Sequence, residues 1–336
     1  MQIKYFFGID VSKSTLDVTV VVEGKSVEYQ KLENRTAAIK KVFLKRMYSL
    51  GATMEDSVFC MEHTGLYNLP LVKWLHSQNG MIWLESGLQI RKASGMLRGK
   101  NDQVDSGRIA QYAYTHRHQI KVWSPPREVI QRLSVLLSQR ARFEKVLRQL
   151  TTAQHEQTLF LDKTIVRMLD QHNRAPIEAL RKQIRALEEQ IQEILRDDES
   201  LERLYRIITS IHGIGLLTAG YIIVSTNEFR SIRDPKKYAC YSGVAPFEYS
   251  SGSSVRGKTR VSRMANKNIK QLLHLAAMSS IRAPGGELSE YYQRKVAEGK
   301  NKMSVLNAVR NKLILRVFAC VNQNREYQKK YGPCVA

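Results

Sequence analysis

The chain has 336 residues, 43% hydrophobic and 25% charged, the proportions of a globular protein long enough for two or three domains. Lysine and arginine number 53 against 31 acids, and a net charge of +22 is the electrostatic footprint of a polyanionic partner. No apolar run approaches the roughly 18 residues of a membrane span, and Asp10 interrupts the first strand too early for a signal peptide. Four scattered cysteines without a C-x-x-C spacing point to neither a zinc site nor a disulfide framework, and fit a cytoplasmic location.

The first 120 or so residues read as strands over 3–10, 15–22 and 26–31, a helix over 36–49, a strand over 57–62, a helix over 67–78, a strand over 81–85 and helical segments to about 116. Three strands followed by alternating helix and strand is the order of a ribonuclease-H-like fold, with an antiparallel start and parallel crossovers. The first strand ends at Asp10 and the fourth at Glu62, which places both carboxylates at the carboxyl edge of a sheet, where open α/β folds bind ligands. Asp102 and Asp105 open a later helix three residues apart and share a face. Asp102 also suits a helix cap, and Asp105 suits the favourable end of the helix dipole. As a set, the four acids provide hard oxygen ligands for two Mg²⁺ or Mn²⁺ ions, whose charge would offset their mutual repulsion. An actin-like sugar kinase also opens on a glycine-isoleucine-aspartate strand, but it needs a glycine-rich phosphate hairpin, and Val11-Ser12-Lys13 contains no glycine.

Trp123-Ser124-Pro125-Pro126 breaks the pattern and starts a new helix. Residues 128–161 form one long helical pattern, and a turn near Asn173-Arg174-Ala175-Pro176 is expected to start a second. There Ile177, Leu180, Ile184, Leu187, Ile191 and Ile194 alternate by three and four, a heptad seam that makes a coiled-coil hairpin of 126–200. Arg140, Arg142, Lys145 and Arg148 form a basic face on the first helix.

From 201 to about 330 the chain reads as helical. Ile211-His212-Gly213-Ile214-Gly215 lies between two helices in a helix-hairpin-helix pattern, and its Gly213 and Gly215 would let backbone amides approach a DNA phosphate. Four serines around Gly252 then precede Arg256, Lys258, Arg260 and Arg263. This is either a flexible loop that grips phosphate or a serine nucleophile in an electropositive pocket.

Together these motifs resemble the DEDD transposases of insertion sequence family 110, the RNA-guided bridge recombinases, over nearly the whole chain. The resemblance rests on Gly8-Ile9-Asp10, Glu62-His63-Thr64-Gly65, Asp102-Gln103-Val104-Asp105, Gly213-Ile214-Gly215 and Ser251-Gly252-Ser253-Ser254-Val255-Arg256-Gly257. It implies a RuvC-like catalytic domain over 1–120, a coiled-coil linker over 126–200 and a helical transposase domain over 201–330. It also carries a metal-binding tetrad onto Asp10, Glu62, Asp102 and Asp105, and a nucleophilic serine onto Ser251. The partners it implies are donor and target DNA, a structured guide RNA and further copies of the chain in a homo-oligomer. His63 stands where the family usually has a small residue, Asn101 where it often has threonine, and His212 where it often has proline. The competing expectation is a RuvC-like Holliday junction endonuclease that uses metal-activated water.

Overall fold

A computed structural model describes residues 3–93, 101–251, 255–262 and 265–328, with the backbone alone at 248–251 and 255–260. The chain divides into two compact units, Met1–Pro125 and Pro126–Ala336.

In the first unit, strands β1 (Tyr5–Val11), β2 (Thr15–Val22), β3 (Lys25–Glu33), β4 (Ser57–Glu62) and β5 (Met81–Glu85) form one sheet in the order β3-β2-β1-β4-β5. β1 pairs antiparallel with β2 and parallel with β4, so the sheet is mixed, as the sequence predicts. Alternation along the strands sends two apolar sets to opposite faces. Phe7, Ile9, Val20, Phe59 and Met61 meet Phe43 of α1 (Thr36–Leu50) and Trp74 of α2 (Leu69–Ser77). Phe6, Val21, Val58, Cys60 and Trp83 lie under Ile90 of α3 (Gly87–Ala93) and Ile109, Ala110 and Ala113 of α4 (Asp102–Thr115). Each large side chain buried there is worth about 1.5–3 kcal/mol.

The second unit is built on α5 (Glu128–Phe160), α6 (Lys163–Asp197), α7 (Glu199–Thr209), α8 (Leu216–Thr226), α9 (Pro235–Tyr241), α10 (Lys267–Arg282), α11 (Glu287–Ala297) and α12 (Lys302–Asn322). α5 and α6 pair as an antiparallel hairpin, with Arg140 Nε donating to Glu188 at 2.7 Å and Gln154 Nε2 to Asp170 at 2.6 Å. The expected seam is buried at Ile177, Ile184 and Ile191. The foot of the hairpin joins the main helical core through Ile130, Leu133, Leu137, Ile191 and Leu195.

Two expectations need correction. The second long helix does not start at a turn near Asn173–Pro176. It begins at Lys163, and Pro176 lies inside it. Proline there removes the amide that would bond to His172, but both residues are exposed and water can satisfy that carbonyl. The C-terminal part is also not wholly helical. Pro246–Ser251 (β6) and Val255–Val261 (β7) form an antiparallel hairpin, so the serine stretch is strand rather than flexible loop on both sides of residues 252–254. Phe247, Tyr249, Val255 and Val261 are strand-formers whose weight a reading of the serines alone overlooks.

Candidate active site

Asp10 is the penultimate residue of β1 and Glu62 the last of β4, adjacent strands whose carboxyl ends point the same way. Asp102 and Asp105 form the first turn of α4. The cap of α4 is Asn101, whose side-chain oxygen accepts from the Val104 amide at 2.7 Å. Asparagine thus does the work of the threonine expected there, and Asp102 is not needed as a cap.

What brings α4 to Asp10 is Gly8. A Cβ at this position would lie 2.6 Å from Ala110 Cα and closer still to Ala110 N and Ser106 O. Helix backbone therefore rests directly on strand backbone. Beside it, the hydroxyls of Thr19 and Ser106, both buried, share a hydrogen bond of 2.7 Å. The first turn of α4 consequently stands over the end of β1. Gly87 gives Glu62 similar room, since a Cβ there would lie 2.5 Å from the Glu62 carboxyl carbon.

The electrostatics report the convergence. Asp10 has its pKa raised from 3.8 to about 6, first by burial and then by Asp105, Glu62, Asp102 and Asp17 in that order. All four sequence-predicted acids thus belong to one interacting group. Among the described residues, however, no three His, Cys, Asp or Glu side chains stand as a ready-made metal cage. Two of the acids have cationic partners: Arg108 Nη1 donates to Asp105 at 2.8 Å, and Lys31 Nζ donates to Asp102 at 3.1 Å. The donor chemistry fits a hard divalent cation, with carboxylate oxygens at a sheet edge whose crowding raises the pKa of Asp10 after burial.

Sequence reasoning missed Asp17. It lies directly across the ladder from Asp10 and is only 2% exposed. Tyr29 Oη donates to it at 2.5 Å, and Lys31 Nζ lies 3.5 Å from it. The signal was available in Thr15-Leu16-Asp17-Val18, where a carboxylate interrupts a strand on the Asp10 face.

In the second unit, Ser251 ends β6 opposite Val255. Arg256 pairs with Ser250, Gly257 with Tyr249 and Arg260 with Phe247, and Lys258 lies on the same strand. Gly252 and Arg263 lie outside the described residues. The two glycines of the helix-hairpin-helix pattern separate in role. Gly213 has φ +93°, and a Cβ there would lie 2.5 Å from Ala276 O, so it seats the turn against α10. Ser280 Oγ ties the same turn by donating to His212 O at 2.8 Å. Gly215 precedes α8 with open space around its Cα, and it is the position that leaves helix amides approachable. Arg140, Arg142, Lys145 and Arg148 line an open groove of about 960 Å³ between α5, α8 and α10, with Arg140 and Arg148 engaged by Glu144.

Comparison with known proteins places the chain among transposases. A DEDD transposase model of the IS110 type matches residues 7–165, and a model described as "Transposase IS116/IS110/IS902 family" matches residues 205–293. The pilin gene-inverting protein of Moraxella bovis is 22% identical over 329 residues, covering 97% of this chain and 98% of that protein. The 43.6 kDa protein of insertion element IS110 from Streptomyces coelicolor is 30% identical over 152 residues, covering 45% of this chain and 36% of that one. The transposase of insertion sequence IS1328 from Yersinia enterocolitica is 26% identical over 191 residues, covering 55% and 53%. Among the described residues, no helix is long and apolar enough to cross a membrane.

Proposed function

The chain belongs to the IS110 family of transposases and is a DNA transposase or recombinase; from that premise we propose that it cuts and rejoins DNA through a strand linked covalently to Ser251, with the acidic tetrad acting on the same phosphate. What supports the tetrad is the placement of Asp10 and Glu62 at the carboxyl ends of adjacent strands, with the first turn of α4 packed on β1 through Gly8. The raised pKa of Asp10, caused first by burial and then by the other acids, accords with it. Asp10, Glu62, Asp102 and Asp105 would hold Mg²⁺ or Mn²⁺, which when bound supplies electrophilic stabilisation to the phosphate and its leaving oxygen.

Ser251 attacks phosphorus through Oγ and loses its proton. The Oγ–P bond forms, one bridging O–P bond breaks, and the leaving oxygen of the DNA takes up a proton. Attack by the hydroxyl of a second strand reverses these steps and frees the serine. Arg256, Lys258, Arg260 and Arg263 offset the charge that builds on the phosphate oxygens. A phosphodiester linked to protein retains the bond energy needed for rejoining, and a hydrolysed one does not. The name of the Moraxella relative, gene-inverting, describes an outcome in which DNA ends are rejoined.

Gly213, Gly215 and the basic groove contribute sequence-independent contacts to the nucleic-acid backbone. A structured guide RNA reads donor and target by base pairing, and the net charge of +22 suits both polyanions. Copies of the chain act together as a homo-oligomer, with the tetrad and Ser251 supplied by one copy or by two.

The test is Ser251→Ala. It should leave DNA binding within about fivefold, because one hydroxyl contributes only about 1 kcal/mol to a charged interface. It should also abolish the protein–DNA adduct that survives denaturation in sodium dodecyl sulfate. An adduct that persists refutes the nucleophile. The water-using junction endonuclease has one observation in its favour: the tetrad unit has its own sheet and core without Ser251. On that reading Ser251→Ala still cuts four-way junctions and leaves free ends.

A further inference from the structure

The entry to the serine hairpin hangs on side chains that the cutting reaction does not use. Val244, two residues before β6, presents its carbonyl oxygen to Asn307 Nδ2 of α12 at 2.8 Å. Asn307 Oδ1 accepts from Arg310 Nη1, one helical turn further on, at 3.2 Å. Arg310 Nη2 in turn lies 2.7 Å from His274 Nδ1 of α10. Because arginine can only donate, His274 must accept through Nδ1 and carry its proton on Nε2. These three side chains form one line from α10 across α12 to the foot of the hairpin. The amides of Val244 and Ala245, both bonded to Ala239 O at 2.9 and 3.0 Å, hold the same foot from the other side.

This line is costly to the fold. Arg310 is 6% exposed, no carboxylate pairs with it among the described residues, and its Nε is buried without a partner. Its helix neighbours Leu306, Val309, Leu313 and Ile314 are all core residues. A buried guanidinium without a counter-charge is a poor choice for stability, and an apolar side chain of similar length would serve the core better. Such a sacrifice is expected where a group must be held in one position for function.

We propose that Arg310 is a positioning residue: it fixes the Asn307 amide, which pins the entry of the β6–β7 hairpin and so holds Ser251 in register for attack. The proposal rests on Ser251 being the nucleophile, and its test separates the two. In full-length protein, Arg310→Met should leave the melting temperature unchanged or raise it. Amide exchange at 247–251 and 255–261 should speed up roughly tenfold or more, and adduct formation should slow roughly 10- to 100-fold at unchanged DNA affinity. Asn307→Leu, which breaks the last link and leaves the cation in place, should loosen the hairpin in the same way. It also serves as the test if Arg310→Met does not fold. His274→Gln, which can still accept from Arg310, should behave as wild type. The anchor is refuted if hairpin exchange is unchanged in both variants, or if Arg310→Met lowers the melting temperature in step with activity. If Ser251→Ala retains its adduct while Arg310→Met loosens the hairpin, the nucleophile falls and the anchor stands. If Ser251→Ala loses its adduct while the hairpin stays rigid in both variants, the anchor falls alone.

Discussion

Asp10→Asn is expected to lose strand cutting and joining by about 10³-fold or more, the loss that follows from several kcal/mol of electrophilic stabilisation at the phosphate. Binding to DNA should persist, because the Asp10 carboxylate repels phosphate instead of attracting it. The same substitution should stabilise the metal-free protein. The folded pKa of Asp10, about 6, lies above its unfolded value of 3.8, so the native state binds its proton more tightly. By linkage the penalty is present in full above pH 6 and disappears as pH falls toward 4. Allowing for solvent screening of a partly exposed group, it amounts to about 2 kcal/mol. Melting curves of EDTA-treated wild type and Asp10→Asn at pH 7.5 and pH 4.5 test this. The variant should be the more stable at pH 7.5, and the difference should shrink at pH 4.5. Equal melting at both values would mean that neither burial nor the neighbouring acids destabilise the ionised Asp10 carboxylate.

Gly8→Ala is the second large effect. The new methyl would press on backbone atoms of Ser106 and Ala110, which cannot rotate aside as a side chain can. α4 must lift, and the apolar seal of Ile109, Ala110 and Ala113 against the sheet opens with it. Overpacking of this kind costs about 1–3 kcal/mol, and rigid backbone on both sides puts this case at about 3. Asp102 and Asp105 move with the helix, so Mn²⁺ binding should weaken together with stability. Urea melts and a Mn²⁺ titration check both. A variant that melts like wild type would mean that α4 does not rest on Gly8. Ser106→Ala makes a useful comparison, since it removes one buried hydrogen bond to Thr19 and should cost only about 1–2 kcal/mol.

Much of the first unit is legible from local pattern. β2, β4 and β5 begin and end where their apolar runs do, and Asp10 and Glu62 stand out because each closes such a run. The parts that could not be read depend on distant partners. Gly8 looks like a neutral strand residue until α4, about 100 residues later, is laid on it. Asp17 interrupts an apolar run as Asp10 does, but the Tyr29 and Lys31 that close over it from β3 are not visible in that pattern. Pro176 signals a helix start by local rules, yet it is carried within α6 because Ile177, Ile184 and Ile191 bury a seam that outweighs one lost bond. Arg310 is the hardest case: one more cation in a basic sequence, buried only once α12 is packed among its neighbouring helices.

The docking of α4 on β1 also sets a schedule for the protein during its own synthesis. The strands that carry Phe6, Val21, Val58, Cys60 and Trp83 leave the ribosome well before the helix that covers them. At about 5–20 residues per second, that apolar face waits several seconds for its lid. Throughout that interval Asp10 has neither Asp102 nor Asp105 beside it. A chain cut short before residue 101 would therefore keep that apolar face uncovered and leave Asp10 without Asp102 and Asp105.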